Sequence, residues 1–282
     1  MKILITGKNG QLGSELQDIA EQYPQFDFVF LDREEMDLSD QAAILAVLDA
    51  EKPNVIVSAG AYTAVDKAEN DQELCDAINH LAVKTMGEWA AKNNAKVIHI
   101  STDYVFDGSS EIPLKESDIT SPINVYGASK LKGEQALMQS GCNFIIIRTA
   151  WVYSTYGANF VKTMMRLMSE RDEIGVVADQ IGTPTYAKDL AETIMTIVAN
   201  ENFAEGIYHY SNEGKISWFD FATAIKELKG YSTKINAISS NAFPTPAKRP
   251  NYSLLDKTKI KETFSIRIPE WKDSLEMMLS KI

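Results

Sequence analysis

The sequence predicts an α/β chain built on a doubly wound parallel sheet, with a smaller C-terminal α+β body attached. Three observations predict it. In the first half, short apolar runs alternate with longer amphipathic segments, the rhythm of βαβ units. The runs "KILIT", "FDFVFLD", "NVIVSAG", "KVIHIST" and "NFIIIRT" are continuously apolar rather than alternating, as suits strands covered by helices on both faces. A glycine-rich turn follows the first run directly, where such a sheet places a ligand-binding loop.

The elements follow in order. After "KILIT" comes "TGKNGQLGSEL", with Gly7, Gly10 and Gly13 at three-residue spacing before a helical pattern. Glycines there permit a tight turn and let backbone N–H groups approach a pyrophosphate, while the helix N-terminus adds positive potential. Turn geometry alone would use the same residues. The fold is therefore read as Rossmann-like, with a dinucleotide site at this loop. The second run ends at Asp32, where a ribose-binding carboxylate belongs, and this favours NAD(H). Arg33 beside it and Lys8 in the loop could instead meet the 2'-phosphate of NADP(H), or lie on solvated surface. Both cofactors stay open. In "MDLSD", Asp37 suits either an adenine contact or a helix cap.

The fourth run opens into "STDYVFDG", which leaves Ser101, Thr102, Asp103 and Tyr104 at a strand's carboxyl end. Ligands bind there in a doubly wound sheet, although Thr102 could equally satisfy a turn. Ser121, Pro122 and Gly127 then punctuate the approach to "VYGASKLKGE", a helix carrying Tyr126 and Lys130. With 11 tyrosines and 22 lysines in 282 residues, roughly one Tyr-x-x-x-Lys match is expected by chance, so context must promote the pair. Residues four apart share one helix face. A phenol with a pKa of about 10 needs a nearby cation to become a useful acid at neutral pH. Lys130 could supply that field and donate to a nicotinamide ribose, Tyr126 could protonate a carbonyl oxygen, and Thr102 could bond the same oxygen. Lys132 and Glu134 are expected on the solvated face of this helix.

Beyond the fifth run, "YAKDLAETIMTIVAN" reads as a helix leading into "GIYHYSN", which could return the chain to the sheet. "SWFDFATAIKELKG", "KINAISS" and "PEWKDSLEMMLSKI" read as smaller added elements. The division expected is a dinucleotide-binding body over 1–150, rejoined by 186–212, and a substrate-binding body over 151–185 and 213–282.

Composition narrows the function classes. A net charge of -11 argues against nucleic-acid or anionic-membrane binding, which needs clustered positive charge. Cys75 and Cys142 are far apart with no Cys-x-x-Cys spacing, and the N-terminus lacks a signal-peptide pattern, so a reduced cytoplasmic location is expected. No apolar run is long enough to span a bilayer. His80, His99 and His209 show no metal-ligand spacing, and structural roles are expected for each.

"GKNGQLGSEL", "AYTAVDKAE", "STDYVFDG", "VYGASK", "RTAWVY" and "DQIGTPT", in this order, resemble the extended short-chain dehydrogenase/reductases, above all those that reduce 4-keto sugar nucleotides. "RPNYSLLD" is a weaker echo near the C-terminus. The resemblance implies NAD(P)H-dependent reduction of the 4-keto group of dTDP-4-dehydro-L-rhamnose to dTDP-L-rhamnose, in nucleotide-sugar and cell-surface polysaccharide synthesis. It makes Tyr126 the proton donor, Lys130 its partner and ribose ligand, and Thr102 the residue at the carbonyl. It assigns Gly10, Gln11 and Leu12 to the pyrophosphate, Asp37 and Leu38 to adenine, and Gly60, Ala61 and Tyr62 to the nicotinamide half. Thr102, Asp103 and Trp151 match sugar-nucleotide contacts, with Thr63 and Val65 nearby. Trp151 also suits a packed interface aromatic, and Arg249 either the substrate diphosphate or the surface.

Two departures stand out. Gly60 replaces an alanine common in that family. Some relatives form metal-bridged dimers through glutamates; here Glu15 is present but Lys188 stands near the second position. No metal site is therefore expected, magnesium stays undecided, and monomer and homodimer both fit. The competing readings are a related epimerase or 4,6-dehydratase, and a non-catalytic NADP-binding regulatory protein. Dehydratases place Asp-Glu after the active-site Thr, whereas Tyr104 follows Asp103 here.

Overall fold

The apolar runs become strands because each can bury both faces, and the segments between them become helices that supply the covering layers. In the computed structural model, which describes residues 1–200 and 202–282, the chain begins β1 (Lys2–Thr6), α1 (Gln11–Ala20), β2 (Asp27–Leu31), α2 (Gln41–Glu51) and β3 (Val55–Ser58). Short helices α3 (Val65–Ala68) and α4 (Gln72–Asp76) pass through a π-helical turn, Ala77–Leu81, into α5 (Ala82–Asn93). Then come β4 (Lys96–Thr102), a 3-10 turn over Asp103–Val105, α6 (Val125–Gln139) and β5 (Asn143–Thr149). The second half holds β6 (Val152–Tyr153), α7 (Phe160–Glu170), β7 (Glu173–Val177), β8 (Ile181–Gly182), β9 (Thr185–Tyr186), α8 (Ala187–Ala199) and β10 (Gly206–His209). It ends with β11 (Ile216–Ser217), α9 (Trp218–Lys229), β12 (Lys234–Ile238), α10 (Thr258–Phe264) and α11 (Trp271–Leu279).

Six parallel strands form the main sheet in the order β10-β5-β4-β3-β1-β2. The direction of strand addition reverses between β1 and β3, so the loops after those two strands diverge and open a crevice. "GIYHYSN" does return the chain to the sheet, with Gly206 opposite Ile145 and His209 opposite Arg148. One apolar layer packs Ile3, Ile5, Ile145 and Ile147 against α1 and α8; the other packs Leu4, Ile56 and Ile146 against α2 and α5. A third core gathers Tyr153, Met164, Ile174, Phe221 and Leu275 from the segments expected to form the smaller body. Helix α10 departs from that grouping, since Ile260 and Phe264 pack with Tyr208 on the sheet side.

Helix boundaries follow local chemistry. Asn124 caps α6 by accepting from Gly127 N at 2.7 Å, and its amide donates to Lys248 O at 2.8 Å, tying the helix start to the segment before Arg249. Ser217 and Asp220 form a capping box on α9, and Gly230 ends that helix in the left-handed region.

Candidate active site

A cavity of about 940 Å³ lies at the carboxyl ends of β1, β3 and β4, roomy for a dinucleotide together with a second ligand. Gly7, Gly10, Gln11, Leu12 and Gly13 line one end. Gly10 caps α1 without any side-chain hydrogen bond, so the first N–H groups of this ten-residue helix are left for a ligand. The close approach is built from glycine: Gly7 sits at φ +75°, and a Cβ on Gly13 would stand 2.1 Å from Gly7 O. An uncapped helix end behind a loop in which Gly7, Gly10 and Gly13 carry no side chain fits a diphosphate. Gln11 offers only its backbone, because its amide bridges Val152 O at 3.3 Å and Asn159 at 3.0 Å.

Asp32 and Arg33 both line the cavity. The Asp32 carboxylate accepts from the backbone N–H groups of Asn9 at 2.9 Å and Arg33 at 2.7 Å, while the Arg33 side chain is 79% exposed. Lys8 pairs with Glu35 instead of facing a phosphate. Leu38, Gly60 and Ala61 line the wall, but Asp37 and Tyr62 are not among the lining residues. Asp37 accepts from Ser39 N at 2.8 Å and Ser39 Oγ at 2.7 Å, bonds that with Arg33 hold its carboxyl below the usual range. It does not cap α2, a role Asp40 takes. Tyr62 is clasped at its backbone by Asn79, and its hydroxyl donates to Asp71 at 2.8 Å.

At the chemical end, Thr102 closes β4 and lines the cavity with Asp103, Tyr126 and Lys130. Thr102 Oγ1 donates to Asp103 Oδ1 at 3.1 Å and accepts from Tyr104 N at 3.2 Å. Burial raises the Asp103 carboxyl to about 6, and its Oδ2 has no partner, so it is an acceptor awaiting a donor. Burial also raises the Tyr126 phenol, with the Thr102 side chain pulling the other way. Lys130 is buried; its ammonium donates to Ile100 O at 2.6 Å and meets His99 Nε2 at 3.1 Å. Burial lowers it to about 8, opposed by the Glu134 charge. The expected field of Lys130 on Tyr126 is thus not what dominates the phenol: the ammonium is spoken for beneath the cavity, and desolvation wins.

On the remaining wall, Thr63 and Val65 line the cavity beside Trp151 and Arg249. Trp151 adopts a left-handed φ of +49° and stacks on Trp218 with ring centroids 3.6 Å apart, so it is both an interface aromatic and a cavity wall. Arg249 is not a free surface cation, since it holds Asp66 in a two-point ion pair, Nη1 to Oδ1 at 3.1 Å and Nη2 to Oδ2 at 2.8 Å. Glu15 is buried and accepts from Ser154 Oγ at 2.6 Å, while Lys188 pairs with Glu192. Among the described residues, no group of three His, Cys, Asp or Glu side chains could hold a metal.

One expectation is overturned. Lys132 is exposed, but Glu134 is fully buried: it takes two-point hydrogen bonds from Arg148 and one from Ser101 Oγ. The α6 face that looked solvated packs onto β4 and β5, and Arg148 supplies the compensating charge that the local pattern could not reveal. Sequence reasoning also missed Trp218 and gave His99 only a structural role. Trp218 carried no signal beyond its place at the start of a helix.

The RmlD substrate binding domain family profile matches residues 1–282. The chain is 42% identical to the dTDP-4-dehydrorhamnose reductase of Aggregatibacter actinomycetemcomitans, over 98% of this chain and 97% of that protein. Its fold matches a dTDP-4-dehydrorhamnose reductase from Clostridium acetobutylicum, with TM-score 0.94 and 39% identity over 100% of this chain and 99% of that one. It matches equally, at 37% identity and the same coverage, the dTDP-4-dehydrorhamnose reductase from Bacillus anthracis solved in complex with NADP, again with TM-score 0.94.

Proposed function

From the premise that the chain belongs to the RmlD substrate binding domain family, we propose that Tyr126, Lys130 and Thr102 carry its chemistry. That chemistry is the NAD(P)H-dependent reduction of dTDP-4-dehydro-L-rhamnose to dTDP-L-rhamnose, a step of nucleotide-sugar synthesis. The observation that carries the residue assignment is the convergence of the glycine loop, Thr102, Tyr126 and Lys130 on one cavity. Bound NAD(P)H supplies the hydride that reduces the C4 carbonyl. Tyr126 delivers the proton to the carbonyl oxygen, and its phenol, kept protonated by burial, is in the correct state to do so. The Thr102 hydroxyl, by turning its one proton away from Asp103 Oδ1, donates a hydrogen bond to the same oxygen. Lys130 keeps a positive charge one helical turn from the phenol, where it stabilises the phenolate left after proton transfer.

The rest of the cavity follows by chemistry. Gly7, Gly10 and the amides of Gln11, Leu12 and Gly13 hold the cofactor diphosphate, Leu38 faces the adenine, and Gly60 and Ala61 border the nicotinamide half. Asp37 and Tyr62 act from behind by shaping turns. The unpartnered Asp103 Oδ2 suits a sugar hydroxyl, Trp151 a face of the sugar, and Arg249, oriented by Asp66, the substrate diphosphate. Residues 1–150 with 186–212 form the cofactor body, and 151–185 with 213–282 form the substrate body, lending α10 to the sheet. No described helix is long and apolar enough to cross a membrane.

Tyr126→Phe tests the assignment. Turnover, followed as loss of nicotinamide absorbance, should fall at least a hundredfold, the order expected for losing a general acid, while cofactor affinity stays within about twofold. Undiminished turnover would refute the acid role. Stoichiometric cofactor consumption separates reduction from epimerisation, and the Asp103-Tyr104 pair lacks the acid a dehydratase places there.

A further inference from the structure

Lys130 has three N–H donors, and two are fixed beneath the cavity by Ile100 O and His99 Nε2. An ammonium only donates, so His99 Nε2 must carry the lone pair. The ring's proton is therefore on Nδ1, which lies 3.0 Å from Ser58 Oγ and donates to it. Ser58 and His99 are register partners on β3 and β4, so the sheet itself holds the ring at this angle. Both residues are buried, His99 at 0% and Ser58 at 1% exposure. Burial, reinforced by the Lys130 charge, keeps the imidazole well below its ordinary pKa and hence neutral. A protonated ring could not accept from Lys130 at all.

We propose that His99 is a positioning residue for the reduction: held as the Nδ1–H tautomer by Ser58, it anchors Lys130 so that the third ammonium N–H faces the cavity. The inference rests on the assignment of Lys130 to the active site. It gives His99 a function beyond core packing, because a hydrocarbon ring of similar shape would leave the ammonium one acceptor short in a dry site. Glu134 on the same helix and Cys75 on α4 are the other titratable groups that act on Lys130.

Two amides separate the ring's bonds. Asn at 99 places its amide near the Nδ1 position and keeps the Ser58 contact while losing Lys130; Gln reaches the Nε2 position and can accept from Lys130. Steady-state kinetics with NADPH and the keto sugar nucleotide should show His99→Asn losing about tenfold or more in kcat/KM, the worth of one hydrogen bond to a charged group. The KM for NADPH should rise, and the alkaline limb of the pH profile should move to lower pH, because the ammonium has lost an acceptor. His99→Gln should recover most of both. Wild-type kinetics and an unmoved limb in His99→Asn, or equal damage in His99→Gln, would overturn the proposal. Should His99→Asn fail to fold, Ser58→Ala frees the tautomer from the other side and must move the limb in the same direction; an unmoved limb there counts against it. Lys130→Met, assayed in parallel, separates the two claims. A dead Lys130→Met with a normal His99→Asn sinks this inference alone, and an active Lys130→Met sinks the active-site assignment beneath it.

Discussion

Replacing Glu134 by Leu should be among the most destabilising single changes in the molecule. The carboxylate is 0% exposed and accepts from Arg148 Nη2 at 2.7 Å and Nε at 3.0 Å, with the Ser101 hydroxyl as a further donor. Arg148 is only 3% exposed and its Nη1 has no partner already, so removing Glu134 strands a guanidinium with almost no compensation. Breaking one side of a buried pair costs about 3–5 kcal/mol, whereas exchanging both sides for apolar groups is often neutral or stabilising. Glu134→Leu should therefore lose about 3–5 kcal/mol in urea unfolding, and Glu134→Leu with Arg148→Met should recover most of that loss. At roughly 2–4 °C per kcal/mol, the single variant should melt about 10 °C early. Because Ser101 directly precedes Thr102, the single variant should also lose activity below its melting range. A single-variant loss under about 1 kcal/mol, or a double variant as unstable as the two singles summed, would refute the reasoning.

Two further outcomes follow from charges at the site and in the core. Arg33→Ala should shift the ratio of kcat/KM for NADPH over NADH down by about tenfold or more, since its exposed guanidinium, paired with Asp37 through Nε at 3.5 Å, can still turn its Nη groups to a 2'-phosphate; an unchanged ratio rules out that contact. His99 and His209 are both depressed by burial, His209 to about 3, with Lys130 and Arg148 respectively as the nearest added cause. Each is neutral when folded but takes a proton near about pH 6.5 when unfolded. Their contribution is complete above that pH and is lost as pH falls toward about 3, at up to about 1.4 kcal/mol per unit for each ring. The Asp103 carboxyl, raised by burial to about 6, gains stability over the same window and offsets part of this loss, so the rings are read in an Asp103→Asn background: urea midpoints there should drop between about pH 7 and pH 5, and a flat profile in that variant would contradict the burial of both rings.

The strands were legible because their burial is two-sided: "KILIT", "KVIHIST" and "NFIIIRT" match β1, β4 and β5 residue for residue. The ends of α9 were legible too, since Ser217 and Gly230 are cap chemistry written locally. What stayed hidden depends on partners far away in sequence. Glu134 looked like solvated surface because the charge that permits its burial arrives from β5. Asp37 looked like a ligand contact because nothing local distinguishes a carboxylate aimed at adenine from one folded back on Ser39. Trp151 could be read two ways, and its +49° φ and stack on Trp218 give it both roles at once. The Tyr126 and Lys130 spacing was visible, but not that the lysine is tethered from below by a histidine three residues before the end of β4.

The sixth sheet strand, β10, is made late. Its partner β5 ends at Thr149, yet β10 does not begin until Gly206, roughly sixty residues on. At about 5–20 residues per second, a ribosome needs about 3–12 s to cover that distance. Throughout that interval the Phe144–Ile147 stretch, as apolar as any in the chain, lies on an open sheet edge, with the backbone groups that face away from β4 unpaired. A nascent chain stalled between these two strands is thus the form of this protein most prone to aggregate, and the form most in need of a chaperone.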